Sequence, residues 1–224
     1  MTPPACDGAR STIPLAFVAG ACDQRASTLR GTMLRCRFDP GVRPETIIFL
    51  CEASGETARP WQEAGFATLC LDLAVDGQDV RLVSLTDLLR YLRDHRRRPF
   101  GLIAMPPCTH LAGSGARWWQ SKGPTALLEA LSVVDACIRL AEGLRGAGLQ
   151  WFVLENPVGR LSSYLGPPRM TFQPCDYGDP YTKRTCLWGW GFATDLPRTP
   201  VIPTDGSRMH RLPPGRERAH LRSI

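Results

Sequence analysis

A parallel α/β sheet covered by helices is the architecture this sequence predicts, on three observations. Short apolar runs alternate with helix-patterned segments, several of the runs are apolar throughout, and the polar or conformationally special residues gather at their ends. Sheets of this kind bind ligands beyond the carboxyl ends of their strands, so a site is expected there.

The elements follow in order. Residues 46–51 (TIIFLC) are a β-branched apolar strand ended by Ala53-Ser54-Gly55, and residues 58–64 can form a helix. Gly65-Phe66 then leads into a second strand, residues 67–72, that ends on Asp72. A helix over 85–93 places Leu88, Leu89 and Leu92 on one side, and the arginine-rich run 94–99 precedes a strand over 100–105. Residues 125–144 read as a long helix, and residues 150–154 as a buried strand ending in Glu155-Asn156-Pro157. After Leu161 the pattern weakens, with a turn at 164–168 and strands expected over 170–177 and 185–190.

A chain of 224 residues with 43% hydrophobic content can bury one sizeable core. Three regions are expected: a basic arm or small appended element at 1–45, a core domain at 46–190, and a Pro-rich irregular tail at 191–224. The formal charge of +6 fits a polyanionic partner without requiring one. Arg25, Arg30, Arg35, Arg37 and Arg43 in the arm suit phosphate contacts or an ordinary basic surface equally. Nine cysteines, with no CxxC pair, suit a reduced cytoplasmic setting better than a disulfide scaffold. No run approaches membrane-spanning length, so a soluble chain is expected.

Chemistry is expected at the strand ends. A Gly55 turn after the first strand and Asp72 after the second suit a nucleoside-bearing cofactor, although plain helix packing explains one glycine as well. Cys108 follows two prolines at the end of the 100–105 strand and has three candidate roles: buried thiol, metal ligand or nucleophile. Zinc deamination needs a second cysteine in a PCxxC pattern, which PCTH does not supply, and no metal is expected. A Cys/His hydrolase needs a histidine able to reach the thiol; His110 is too close along the chain, and His95, His210 and His220 offer no clear partner. Glu155-Asn156, at the next strand end, and Arg184 are polar groups that favour a thiol attack site with acid assistance.

Read together, the Gly55 turn, Asp72, Asp79-Val80, Pro107-Cys108 with Ser114-Gly115, Glu155-Asn156-Pro157 and Tyr177-Gly178-Asp179-Pro180 with Lys183-Arg184 resemble the ordered motifs of DNA cytosine-5 methyltransferases. The chain especially resembles the short, divergent members found in phages and prophages, over residues 47–187. The resemblance implies a Rossmann-like fold that uses S-adenosylmethionine, with a parallel-rich sheet and helices on both faces. It implies that Cys108 adds to C6 of a cytosine that is flipped from DNA or single-stranded, with the methyl group going to C5. Glu155, beside Asn156, would hold or protonate N3, and Arg184 would steady the base or Glu155. Ser54, Gly55 and Pro106 would line the cofactor, with Asp72 at its ribose and Asp79 near its adenine.

The chain also departs from the pattern. The first turn keeps one glycine between Glu52 and Glu56, Thr109 follows the cysteine, and Cys186 replaces a second arginine. No full target-recognition domain and no closing helix are evident after Trp188. Two alternatives follow from these departures: modification of another pyrimidine substrate, in RNA or a nucleotide, or a non-catalytic nucleic-acid-binding protein. The oligomeric state is left open.

Overall fold

The computed structural model describes residues 43–74 and 76–207. Most of the N-terminal arm, with Arg25, Arg30, Arg35 and Arg37, and the tail from 208 onward, with His210 and His220, lie outside the described residues.

Six strands form one sheet: β1 (Glu45–Leu50), β2 (Ala67–Leu71), β3 (Arg98–Ala104), β4 (Trp151–Pro157), β5 (Met170–Phe172) and β6 (Thr185–Trp190). Their order is β2-β1-β3-β4-β6-β5. The pairs β1–β2, β1–β3 and β3–β4 are parallel. The last two strands add an antiparallel edge, β6 against β4 and β5 against β6. The architecture is therefore mixed α/β with a mostly parallel sheet.

Both faces of the sheet are buried, which is why its strands lack polar alternation. On one face Ile47, Phe49, Ile103, Trp151 and Val153 pack with Trp61 of helix α1 (Arg59–Glu63). On the other, Ile48, Leu50, Leu102, Phe152 and Leu154 pack with α2 (Leu85–Asp94) and α3 (Trp119–Arg145). Gly101 is required by this packing: a Cβ there would lie 1.9 Å from the Trp151 indole, which stacks in turn on Trp61 at 5.3 Å. Ser84 caps α2, its side chain accepting from the Asp87 amide. Helix α3 is interrupted at Gly123 (φ +68°), followed by Pro124, so its regular body starts close to the expected residue 125.

Two differences from the expected elements have a physical cause. Strand β4 continues through Glu155, Asn156 and Pro157 because β6 pairs with them, Glu155 opposite Leu187 and Asn156 opposite Cys186. That pairing is long-range and leaves no local signature. The expected strand over 170–177 divides into β5 and a 3₁₀ turn, Pro174–Tyr177, whose first residue is a proline that cannot donate to a ladder. A single helical turn, α4 (Ser162–Leu165), precedes Gly166 in the expected turn region.

After β6, residues 191–207 contain no helix or strand, yet Phe192 and Leu196 are buried. The backbone there hydrogen-bonds to the 175–182 segment, Val201 N–H to Cys175 and Thr182 N–H to Gly206. Among the described residues, no helix is long and apolar enough to cross a membrane.

Candidate active site

Strand order reverses between β1 and β3: β2 lies on one side of β1, and the chain then crosses back to place β3 on the other. A crevice beyond the carboxyl ends of the strands at such a switch point is the usual ligand position in open α/β sheets. The ends of β1 and β2 form one side of this region. The ends of β3 and β4, with the start of β6, form the other.

On the first side, Glu52 is almost fully buried at the end of β1. One of its oxygens accepts from the Ser54 amide (3.2 Å) and from the Ser54 hydroxyl, and the other accepts from Gly55 N–H (2.8 Å). The carboxylate thus closes the turn on itself. Gly55 has φ +72° with nothing within 4 Å of a Cβ position, so it is needed for the backbone conformation and presents an open surface. Asp72, just past β2, accepts from Ala74 N–H (2.7 Å), and its own amide donates to Asp76 (3.1 Å). The region is acidic enough to act on a neighbour: the Cys70 thiol is pushed up to about 11 by burial and by Glu52, Asp76 and Asp72. Asp79 stands apart in a bidentate pair with Arg81 (2.5 Å to Oδ2), whose hydrogen bonds hold its carboxyl below the usual range.

On the second side, Cys108 opens a 3₁₀ turn, Cys108–His110, directly after Pro106-Pro107. Its carbonyl accepts from both Leu111 and Ala112 N–H, which fixes the turn. The turn docks on the segment after β4: Gly113 N–H donates to Val158 (2.8 Å) and Arg160 N–H to Leu111 (2.9 Å). This approach requires Gly159, whose Cβ would fall 2.0 Å from the Leu111 carbonyl oxygen. Lower down, Asn156 Nδ2 donates to the Pro106 carbonyl (2.9 Å), tying the β4 end to the Cys108 turn.

Glu155 is buried, and its Oε1 has no hydrogen-bond partner. Burial raises its carboxyl pKa, and Lys183 opposes that only in part, with Nζ at 3.9 Å from Oε1. Asn156 Oδ1 is likewise buried without a partner. A cavity of about 250 Å³ is lined by Cys108, Ser114, Pro157, Val158, Lys183 and Arg184 among others; Glu155 and Asn156 lie behind this wall, two residues and one residue before Pro157 in β4.

The structure thus brings Cys108, Glu155 and Asn156 to neighbouring strand ends and puts Arg184 in the cavity wall. Of the two positions expected for Arg184, at the base or at Glu155, the second is held by its neighbour. The cation beside Glu155 is Lys183, whereas the Arg184 side chain is exposed. The two residues precede β6, and their adjacency in sequence hides which one turns inward. Glu52 was also legible only as a departure from a family pattern; its role as clamp of the turn is a matter of three-dimensional geometry. Pro106 contributes its carbonyl to Asn156, and Ser54 its hydroxyl to Glu52.

Cys108 is buried, as are Cys137 and Cys186. Cys137 and Cys186 are raised above the ordinary thiol range, Cys137 first by a hydrogen bond with Cys51 and then by burial, Cys186 by burial. Such thiols are poor nucleophiles. Among the described residues, no cluster of three His, Cys, Asp or Glu side chains could hold a metal ion.

No family model matches the chain, and no curated protein matches it. Among solved structures it aligns with an E. coli protein, encoded within a prophage and described as a DNA modification methyltransferase. The identity is 16% and the TM-score 0.44, over 64% of this chain and 45% of that one. The chain therefore spans less than half the length of that protein's structure.

Proposed function

We propose that the protein transfers a methyl group from S-adenosylmethionine to C5 of cytosine in DNA through a covalent adduct at Cys108. The observation that carries this reading is the juxtaposition of a thiol and a buried carboxyl group at the ends of adjacent strands. Cys108 opens into the cavity, Glu155 lies buried behind Lys183, and the Asn156 to Pro106 hydrogen bond joins their two segments.

The acidic side fits S-adenosylmethionine, a cation that carries a ribose and no phosphate. Glu52 already occupies the Ser54 and Gly55 amides, the donors that a dinucleotide phosphate would require, so the turn disfavours a phosphorylated cofactor. Glu52 and Asp72 supply negative charge, Gly55 an open approach and Asp72 an acceptor for ribose hydroxyls. When bound there, the cofactor supplies an electrophilic methyl group.

The chain's own residues prepare the base to receive it. Cys108 Sγ, as thiolate, forms a bond to C6 of the cytosine while the Glu155 proton moves to N3, so the electron pair pushed into the ring is neutralised. C5 becomes nucleophilic and would take the methyl group as its bond to the sulfonium breaks, leaving the cofactor as the neutral thioether. Loss of the C5 proton to a base then allows the C6–S bond to break, the thiolate leaves, and the N3 proton returns to Glu155. A carboxyl group whose pKa burial has raised suits this exchange, because it holds its proton at a pH where an exposed glutamate has lost it. The target carbon is accessible only in an extruded or unpaired base.

The test is transfer of label from methyl-labelled S-adenosylmethionine to cytosine-containing DNA. Wild-type protein should label C5, and Cys108→Ser should abolish labelling with its melting temperature preserved. Cofactor binding by calorimetry with no label in DNA would overturn the substrate assignment. Label in RNA or free nucleotides alone would move it to those acceptors.

A further inference from the structure

Trp118 closes the 3₁₀ helix Gly113–Trp118, whose other end carries Ser114 in the cavity wall. With about 2.0 Å rise per residue, the indole begins roughly 8 Å along the helix from Ser114. It is 53% exposed, although it belongs to the segment that forms the cavity wall. Single exposed apolar side chains are common and mean little alone. Here one neighbour, Arg117, and the cavity wall at the other end of the same helix give the exposure a direction.

Arg117 places its guanidinium 5.1 Å from the Trp118 ring, a cation held against an aromatic face. Val158, 41% exposed, projects apolar surface from the facing loop that lines the same cavity. Lys183 and Arg184 provide positive charge in the wall, and among the described residues no acidic side chain lines the cavity. An exposed indole with one cation against its ring, on a segment that leads to a cavity wall carrying two more cations, complements a polyanion with planar groups.

We infer that Trp118 and Arg117 form a stacking platform for an unpaired DNA base adjacent to the one in the Cys108 cavity. The inference rests on the methyl-transfer reading for the identity of the base in the cavity. It adds the form of the substrate: a strand with open base faces. A closed duplex hides those faces within its own stack, and only an unpaired segment can offer one to an indole. Stacking tolerates any base, so the platform adds affinity without sequence readout.

The experiment measures binding of full-length protein to fluorescent oligodeoxynucleotides by anisotropy, with single strands of about 12 nucleotides, a matched duplex, and a strand carrying abasic sites beside the target cytosine. The wild type should bind the single strand more tightly than the duplex. Trp118→Ala and Trp118→Leu should each weaken single-strand binding about tenfold, and Trp118→Phe should stay within about threefold. The abasic strand should be bound equally by wild type and both non-aromatic variants. Melting temperatures check that the exposed substitution leaves the fold intact, and the leucine variant retains apolar bulk if alanine does not. Unchanged single-strand binding by the non-aromatic variants, or an equal loss on the abasic strand, would overturn the platform. The methyl-transfer assay on the same samples separates the two proposals: transfer with Trp118-independent binding removes only the platform, and Trp118-dependent binding without transfer removes only the reaction.

Discussion

The two sides of the switch-point region have opposite electrostatic character. At the ends of β1 and β2, Glu52, Asp72 and Asp76 make an acidic setting whose polar groups largely satisfy one another. At the ends of β3 and β4, the cavity wall is cationic, with Arg184 exposed and Lys183 turned inward toward Glu155, while Glu155 Oε1 and Asn156 Oδ1 are buried without a hydrogen bond. A buried polar atom left without a hydrogen bond costs of order 1–3 kcal/mol, which a bound hydrogen-bonding group can offset. One side therefore suits a cation held by a preformed carboxylate. The other suits a polyanion that brings hydrogen-bonding edges inside.

The largest break in this comparison should come from Glu155→Gln. Methyl transfer should fall about 10²- to 10⁴-fold, since proton transfer to the ring is lost. Stability should move in the opposite sense. The folded Glu155 carboxyl has a raised pKa, so its contribution is full below the unfolded value of about 4.3 and is lost as pH rises through the folded value. A melting series across pH should show the wild type losing ground to Glu155→Gln in that window and matching its slope elsewhere.

Next in size is Gly159→Ala. The new methyl would meet the Leu111 carbonyl oxygen, and because both are backbone-bound the loops must separate. A loss of about 1–3 kcal/mol is expected, or roughly 3–10 °C in melting temperature. Transfer should fall further than stability predicts, because Cys108 rides on the displaced turn; a rate loss absent at a temperature where the variant is folded would contradict that coupling.

Glu52→Gln addresses the acidic side. The amide retains one acceptor oxygen for donors that now use two, and it removes the negative charge. S-adenosylmethionine affinity should drop about tenfold by calorimetry, one charged hydrogen bond's worth, with DNA binding unchanged. The smallest effect is expected for Lys183→Met. Removing the nearby cation raises the Glu155 pKa further, so the alkaline limb of the pH–rate profile should move to higher pH.

The sequence exposed the parallel part of the fold more readily than its edge. Runs such as TIIFLC and FGLIAM are buried on both faces, and their unbroken apolarity is a local property. The reversal of β6 and its insertion between β4 and β5 depend on contacts between residues some thirty positions apart in chain, such as Glu155 with Leu187. The candidate site divides in the same way. Cys108, Glu155 and Asn156 are legible because each ends a strand, and the topology carries parallel strand ends to one edge. The choice of Lys183 over Arg184 is not, because both precede β6 and only the packed loop determines which cation faces Glu155. The burial of Glu52 is equally hidden, since its turn looks solvent-exposed in a string of small and acidic residues.

The most direct measurement of the central claim is covalent trapping on DNA that contains 5-fluorocytosine, with S-adenosylmethionine present. Fluorine at C5 cannot leave as a proton, so the C6–S bond should persist. The wild type should give a denaturation-resistant protein–DNA adduct with peptide mass mapping to Cys108, absent in Cys108→Ser. Labelled methyl transfer to ordinary DNA with no such adduct, or an adduct at another cysteine, would contradict the role assigned to this thiol.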